Sequence, residues 1–194
     1  MVSTAAKAGI AVVVVLAVIC LIVVGMFNSF VGLDQNVQSK WSEVGNQYQR
    51  QADLIPNLVS TISSSVSVET KFVKDVVAAR TSWQSAATEL DKDKAGVDMT
   101  NGLVAFVNAV AENYPVLQAN KQYVALTDEL SGTQNRIAVA RGNYITAIQG
   151  FNTAVKMFPG NVFAGMFGFS EKQYYQATLS SMTTPVLGNG TLPT

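Results

Sequence analysis

The side chains that could do acid–base chemistry are few, and their spacing does not pair them. The chain carries 13 Asp and Glu, 13 Lys and Arg, one Cys and no His. Two pairs of carboxylates lie close in sequence, Asp128 with Glu129 and Asp91 with Asp93. Neighbouring helical residues point to different faces and loop carboxylates stay solvated, so neither pair suits a general acid and base acting on one substrate. We therefore predict no catalytic residues and interpret the protein as a non-enzyme.

Metal and cofactor chemistry are disfavoured by the residue types. Zinc sites, hydrolytic triads and the Glu-x-x-His pairs of di-metal helical bundles all use histidine, which this sequence lacks. Gly160, Gly165 and Gly168 are interleaved with phenylalanines, unlike the glycines of a phosphate-binding loop. The formal net charge is zero, so no long-range field attracts nucleic acid. We predict no metal, no cofactor and no nucleic-acid partner.

A group of polar residues on neighbouring predicted helices is one candidate for a specific site. Its members are Glu112, Asn120, Glu129, Asn135, Arg136 and Arg141. We interpret them as a structural network that fixes helix register, with each donor and acceptor satisfied by a neighbour. The alternative is a polar cleft around Glu112, Asn120, Asn135 and Arg136 that binds a small ligand or peptide. A buried, mutually hydrogen-bonded arrangement favours the network, and an open pocket favours the cleft.

The second candidate is apolar and follows Pro159. The stretch NVFAGMFGF, residues 161–169, has no charged residue before Glu171. Large apolar side chains at this density need a cover. Three covers are consistent with the sequence: the end of the helical bundle, which the segment would plug, the bilayer interface, and another copy of the chain. The residues predicted to make membrane or partner contact are Val162, Phe163, Met166, Phe167 and Phe169.

An unbroken apolar run, residues 8–27, precedes the helices that carry these candidates. Twenty helical residues at ~1.5 Å each cover the roughly 30 Å hydrocarbon core, so the run predicts a transmembrane helix. Its lipid-facing anchor positions include Ile10, Val14, Val18, Leu21 and Phe27. A cleaved signal would need a more basic start and a shorter apolar core, so we expect the run to be retained. Cys20 follows Ile19 in mid-membrane, which favours an apolar filler over a lipidated cysteine.

Beyond the anchor, apolar residues recur every three or four positions, which predicts long amphipathic helices. The first continues the anchor through residues 37–66, is bent at Pro56 and ends in a Ser-rich patch before Val68. The second carries the apolar positions from Phe72 to Leu90 and is closed by residues 91–98, a charged stretch that we interpret as a solvated loop or helix tip.

Two further helices complete the predicted bundle. Thr100 is expected to cap the third, which Pro115 interrupts, and the fourth runs from about Gln122 to Met157 and stops at Pro159 with Gly160. The apolar positions of the fourth helix are Leu130, Ile137, Tyr144, Ile148, Phe151, Val155 and Phe158. No stretch alternates with the period of a strand. These patterns predict an antiparallel, up-down helical bundle.

Four stretches closely resemble the LemA family of membrane-anchored helical proteins. They are QADLIPNLVSTI, VAAR, ENYPVLQANKQYVALTDELSGTQNRIAVARGNY and FNTAVKMFPGNVFAGMFGF, and the resemblance spans residues 28–176. It implies an N-terminal anchor and an antiparallel four-helix-bundle domain, and it implies no activity. Two positions depart from the family pattern: Gln134 stands where Glu is common, and Ile145 stands where Asn often follows the Tyr.

We therefore predict an all-α protein with a single transmembrane helix that continues into an antiparallel bundle of long, coiled-coil-like helices. The expected segments are a short N-terminal segment 1–7, the transmembrane helix 8–31, the bundle 32–160, the apolar aromatic segment 161–179 and a polar tail 180–194. The expected function is a scaffold or adaptor that self-associates or binds another membrane protein.

The expected location is the cell membrane. Lys7 precedes the apolar run, whereas Lys40 and Arg50 follow it and are diluted by Asp34 and Glu43. This distribution favours an N-terminus in the cytoplasm and an extracytoplasmic domain. The expected partners are membrane lipid, further copies of the chain in a homo-oligomer, and a second membrane protein as an alternative.

Overall fold

The computed structural model describes residues 4–67 and 70–174. Within them the chain forms five α-helices and a short 3-10 helix, with no strand, so the predicted all-α fold is confirmed. The elements are α1 (Thr4–Ser65), α2 (Thr70–Ser85), α3 (Glu89–Asn113), the 3-10 helix (Pro115–Ala119), α4 (Lys121–Lys156) and α5 (Gly160–Met166). The predicted polar tail, the end of the aromatic segment from residue 175, and positions 1–3 and 68 lie outside the described residues.

Helix α1 joins the apolar run to the amphipathic stretch without interruption and passes through Pro56. It ends at Ser65, inside the predicted Ser-rich patch. The hydroxyls of Ser64 and Ser65 both donate to the carbonyl oxygen of Thr61. Such local side-chain bonds compete with continuation of a helix, which accounts for an end at this position.

The prediction for residues 91–98 is wrong. They lie inside α3, which begins at Glu89 and is capped by Thr88. The Thr88 hydroxyl accepts from the Asp91 amide at 3.1 Å and donates to the Asp91 carboxylate at 2.7 Å, a reciprocal cap. Glu89 and Asp91 also place negative charge at the positive end of the helix dipole. Thr100, the expected cap, lies within the helix.

Helix α4 agrees closely with its prediction. The buried positions Leu130, Ile137, Ile148, Phe151 and Val155 confirm the assigned helical phase. Tyr144 is half-buried, and Phe158 departs from the prediction, since its side chain is 81% exposed. The helix ends at Lys156, two residues before Phe158, so the helical spacing no longer determines which way the Phe158 side chain points.

The described chain divides into two compact units, and both α1 and α4 contribute to each. The anchor unit contains the residues up to Lys40 together with Asn143–Tyr174, and the bundle unit contains Trp41–Gly142.

In the bundle unit, side-chain contacts fix the direction of the helices. The Arg80 Nε donates to the Ala52 carbonyl oxygen, and the Trp83 ring lies 6.4 Å from the Tyr48 ring, so α2 runs antiparallel to α1. The Tyr123 hydroxyl donates to the Val107 carbonyl oxygen at the other end of the unit.

The remaining pairs complete an up-down-up-down bundle. Arg141 reaches Asp93, whereas Tyr123 reaches Val107, so α4 runs antiparallel to α3. Tyr48 also reaches Asp93, and the Tyr114 hydroxyl donates to the Ser67 carbonyl oxygen just beyond α1. Helices α1 and α3 therefore run in the same direction.

The anchor unit has its own apolar core, built from α1, α4 and α5. Its buried members are Phe30, Val37, Ala147, Ile148, Phe151, Val155 and Ala164. Half-buried apolar side chains pack against this core, namely Met26, Leu33, Tyr144, Ala154, Phe163, Phe167 and Phe169.

Candidate functional site

The first part of α1 presents an apolar surface that the described chain leaves largely uncovered. Within the described residues, one helix is long and apolar enough to cross a membrane, and it is this one. The predicted anchor positions Ile10, Val14, Val18, Leu21 and Phe27 are between 42% and 72% exposed. Contiguous apolar surface of this extent marks a membrane or partner contact, because water solvates it poorly.

A buried carboxylate lies near one end of the bundle unit. Asp93, on α3, is 4% exposed. The Tyr48 hydroxyl on α1 donates to its Oδ1 at 3.3 Å, and the Arg141 Nε on α4 lies 3.4 Å from the same oxygen. Burial raises the pKa of Asp93, and the Arg141 charge and the Tyr48 hydrogen bond oppose that rise. These contacts join α1, α3 and α4 through one carboxylate.

Close packing positions the Tyr48 ring in this cluster. A Cβ added at Gly96 would lie 2.6 Å from the Tyr48 Cζ, so the ring rests directly on the α3 backbone where only glycine fits. One helical turn further, the Thr100 hydroxyl lies 2.7 Å from the Oε1 of Gln51, which is fully buried. Tyr48 and Gln51 of α1 therefore contact two successive turns of α3.

The six polar residues predicted as one site occupy separate places. Asn120 caps α4, since its Oδ1 accepts from the Gln122 and Tyr123 amides, and its Nδ2 donates to the Ser65 hydroxyl. Arg141 belongs to the Asp93 cluster. Glu112 is exposed on α3.

The rest of the set lies farther along α4. Arg136 pairs with Glu129 at 2.7 Å, with both side chains more than 40% exposed, and Asn135 is exposed. At ~1.5 Å per residue, Asn135 is roughly 22 Å from Asn120, so the two cannot line one small-molecule cleft. Among the described residues, no three Asp, Glu or Cys side chains converge in a way that could hold a metal ion.

The aromatic segment splits into two faces. Phe163, Phe167 and Phe169 pack on the core of the anchor unit. The Phe167 ring meets Phe27 edge-on with the centroids 5.2 Å apart, and the Phe169 ring lies 5.3 Å from Phe30. Val162 and Met166, from the same predicted set, remain exposed.

A buried amide fastens this segment in place. Asn152 is 1% exposed, and its side chain both donates to the Lys172 carbonyl oxygen and accepts from the Lys172 amide, each at 2.8 Å. Lys172 also pairs with Asp34 at 2.7 Å, and Lys156 pairs with Glu171 at 2.8 Å. The hydrogen bond and charge of Glu171 raise the pKa of Lys156.

Sequence reasoning wrongly placed Asp93 in a solvated loop, whereas it is buried on α3, and it missed Gly96 and Asn152. The pairing of Thr88 with an acidic residue three positions later is a helix-start signal, and it would have placed Asp93 and Gly96 on a helix. For Asn152 the sequence holds no local signal, because its partner is backbone twenty residues further on.

The sequence is also similar to known proteins. The family model that matches the chain describes the LemA family, over residues 40–187. Two relatives from Paramagnetospirillum magneticum, magnetosome proteins MamQ 1 and MamQ 2, are each 26% identical over 195 residues. Each alignment covers 86% of this chain and 72% of the relative. Neither name states a reaction.

Proposed function

The chain belongs to the LemA family, and from that premise we propose that it is a single-pass membrane protein whose helical bundle acts by association. In this proposal the protein is a homo-oligomeric scaffold, or an adaptor for another membrane protein, and it catalyses no reaction. It resides in the cell membrane with the bundle on the extracytoplasmic side.

The observation that carries the proposal is the change of surface along α1. Its first part exposes large apolar residues, such as Leu21 at 72%, whereas its later part buries Val44, Tyr48 and Ile55 in the bundle unit. One helix thus supplies both a membrane-compatible surface and the core of a folded domain. Attachment of that domain to the bilayer is the property that these two surfaces support.

The polar groups of the bundle support association over catalysis. Its buried carboxylate, Asp93, is held by Tyr48 and Arg141 and is not open to a substrate. The exposed polar residues are distributed along α3 and α4. A catalytic centre needs convergent ionisable groups in a cleft, and the Asp93 arrangement lacks the open cleft.

Low charge favours contact between copies. Charged residues make up 13% of the chain, against about a quarter in typical soluble domains. Charged surfaces oppose self-association, so a chain with few charges meets a smaller electrostatic barrier.

The test is the mass of the full chain as it exists in the membrane. Membranes are treated with an amine-independent photo-crosslinker before mild extraction, and the extracted particle is measured by light scattering and native mass spectrometry. A scaffold gives protein masses at multiples of 20.7 kDa. A single copy bound to a stoichiometric second membrane protein supports the adaptor form, whereas a lone single copy in both measurements overturns the proposal.

A further inference from the structure

Four large apolar side chains form an exposed face beside the aromatic cluster, which consists of the packed rings of Phe163, Phe167 and Phe169. Met157, Phe158, Val162 and Met166 are 62%, 81%, 53% and 75% exposed. We call them the outer face. Val162 and Met166 are one helical turn apart on α5 and share a side, while Gly160 and Ala164 on the opposite side are buried.

The outer face is held rigidly. A Cβ at Gly160 would collide with the Ala154 carbonyl oxygen, so α5 lies directly on α4. Beyond α5, the Phe169 amide donates to the Ala164 carbonyl oxygen at 2.9 Å, and Asn152 holds Lys172 through two hydrogen bonds. The face therefore cannot turn inward without breaking the core of the anchor unit.

The depth of the outer face follows from α1. The charge-free stretch between Lys7 and Asp34 contains 26 residues. As a helix it spans about 39 Å, which exceeds the roughly 30 Å hydrocarbon core and approaches the 40–45 Å bilayer that includes the headgroups. With Lys7 at one boundary, the hydrocarbon ends near Phe27, and residues up to Leu33 cross the headgroup layer.

Contacts of the aromatic cluster place α5 beside the end of the hydrocarbon core, near Phe27. Phe167 contacts Phe27, and Phe169 contacts both Phe27 and Phe30. Met166 directly precedes Phe167, so the Cα atoms of the two residues are about 3.8 Å apart. Phe167 in turn contacts Phe27, where the hydrocarbon core ends. Met166, at one end of the outer face, is thus placed next to the residues where the lipid-facing surface of the span ends.

Charge and size distinguish lipid from a protein partner. The outer face has no charged residue between Lys156 and Glu171, and these two flanking charges neutralise each other as an ion pair. A stable protein interface needs about 20–30 residues on each side, whereas this face offers four large side chains. An apolar patch at headgroup level needs no such area, because the acyl boundary accepts single apolar side chains.

We propose that α5 and the turn before it insert the outer face into the headgroup–acyl boundary, as a second membrane contact beside the transmembrane helix. This inference rests on the proposed membrane anchoring. It assigns Met157, Phe158, Val162 and Met166 to lipid, and it assigns Phe163, Phe167 and Phe169 to packing on the core of the anchor unit.

The experiment places a spin label at single positions of the full chain in phosphatidylcholine vesicles. Cys20 is first replaced by Ala, and single cysteines are then introduced as Phe158→Cys or Met166→Cys. Leu21→Cys is the positive control within the span. Val139→Cys is the matched control, since Val139 is 65% exposed on α4 in the bundle unit. Collision of each label is measured with oxygen, which concentrates in lipid, and with a water-soluble nickel chelate.

The expected ratio of oxygen to nickel collision at positions 158 and 166 is severalfold above that at position 139 and below that at position 21. A ratio equal to that of position 139 overturns the inference while the span remains established by position 21. Reduced collision with both reagents, together with dipolar broadening between labels, overturns it in favour of a second copy. A water-exposed label at position 21 overturns the membrane anchoring itself. Circular dichroism of each labelled variant verifies that it is folded.

Discussion

Asp93 illustrates how single residues define this bundle. Apolar contacts between helices stabilise but have no direction, whereas the bonds from Tyr48 and Arg141 to one carboxylate exist in only one alignment of α1, α3 and α4. Burying charge carries a desolvation cost, so the cluster contributes more to alignment than to net stability.

The pKa of Asp93 gives a pH dependence of definite sign. Burial raises it above the ordinary value of 3.8, so the folded state holds the proton to higher pH than the unfolded state does. The free energy of unfolding contributed by Asp93 therefore falls as pH rises above 3.8, and it levels off above the folded-state pKa. Relative to Asp93→Asn, the wild-type chain should lose stability between pH 4 and pH 7, measured by urea unfolding in detergent. Asp98→Asn, an exposed carboxyl on the same helix, is the control. A wild-type chain that gains stability relative to Asp93→Asn over this range would contradict the assignment.

Gly96 should be irreplaceable for steric reasons. The Tyr48 ring that an added methyl would strike is 1% exposed and cannot retreat, so Gly96→Ala should introduce overpacking of about 1 to 3 kcal/mol. The higher helix propensity of alanine offsets at most about 1 kcal/mol of that. The control is Gly102→Ala on the same helix, where the nearest atom is 4.0 Å away and a gain of about 0.5 to 1 kcal/mol is expected. Chemical unfolding of both variants checks the contrast, and a gain in both would disprove the contact.

At the scale of elements, helix periodicity was readable from sequence because it is a local property. Leu130, Ile137 and Ile148 show their burial in the spacing of α4 alone. Residues 91–98 misled because charge and glycine are typical of loops, and the reason for Gly96 is a ring 48 positions earlier. The split of the aromatic segment was equally unreadable, since the buried face of α5 is selected by Phe27 and Phe30, more than 130 positions upstream.

That split predicts opposite outcomes for the two faces of α5. Phe163 and Phe167 pack on the core, so replacing both by Ser should lower stability by several kcal/mol, given roughly 3 to 5 for each fully buried Phe truncated to Ala. The matched pair Val162→Ser with Met166→Ser changes exposed side chains and should stay within about 0.5 kcal/mol each. Thermal melting followed by circular dichroism compares the pairs. Equal melting of the phenylalanine variant and the wild-type chain would show that these rings are surface rather than core.

At the scale of the whole molecule, charged residues are distributed as expected for a chain with one part in lipid and one part in water. No ionisable side chain other than Cys20 occurs between Lys7 and Asp34, and between residues 9 and 27 the exposed side chains other than Cys20 are apolar. In the bundle unit, the buried Asp93 carboxylate and the buried Gln51 Oε1 accept hydrogen bonds from Tyr48 and Thr100 on neighbouring helices. A chain folded for water alone would not combine these two surfaces, because an exposed apolar helix of this length promotes aggregation.

The span can be tested with a single charge. Val14 lies near the middle of the apolar run and is 55% exposed, so Val14→Arg places a guanidinium in the hydrocarbon core. The expected cost is about 2.5 to 3.5 kcal/mol of insertion free energy, enough to shift a substantial fraction of the protein out of the carbonate-resistant membrane fraction. Val139→Arg is the matched control, since Val139 is similarly exposed but belongs to the bundle unit. Deletion of residues 1–31 should abolish carbonate-resistant retention. Full retention after that deletion would show that some other part of the chain holds it in the membrane, and the transmembrane assignment of α1 would then be wrong.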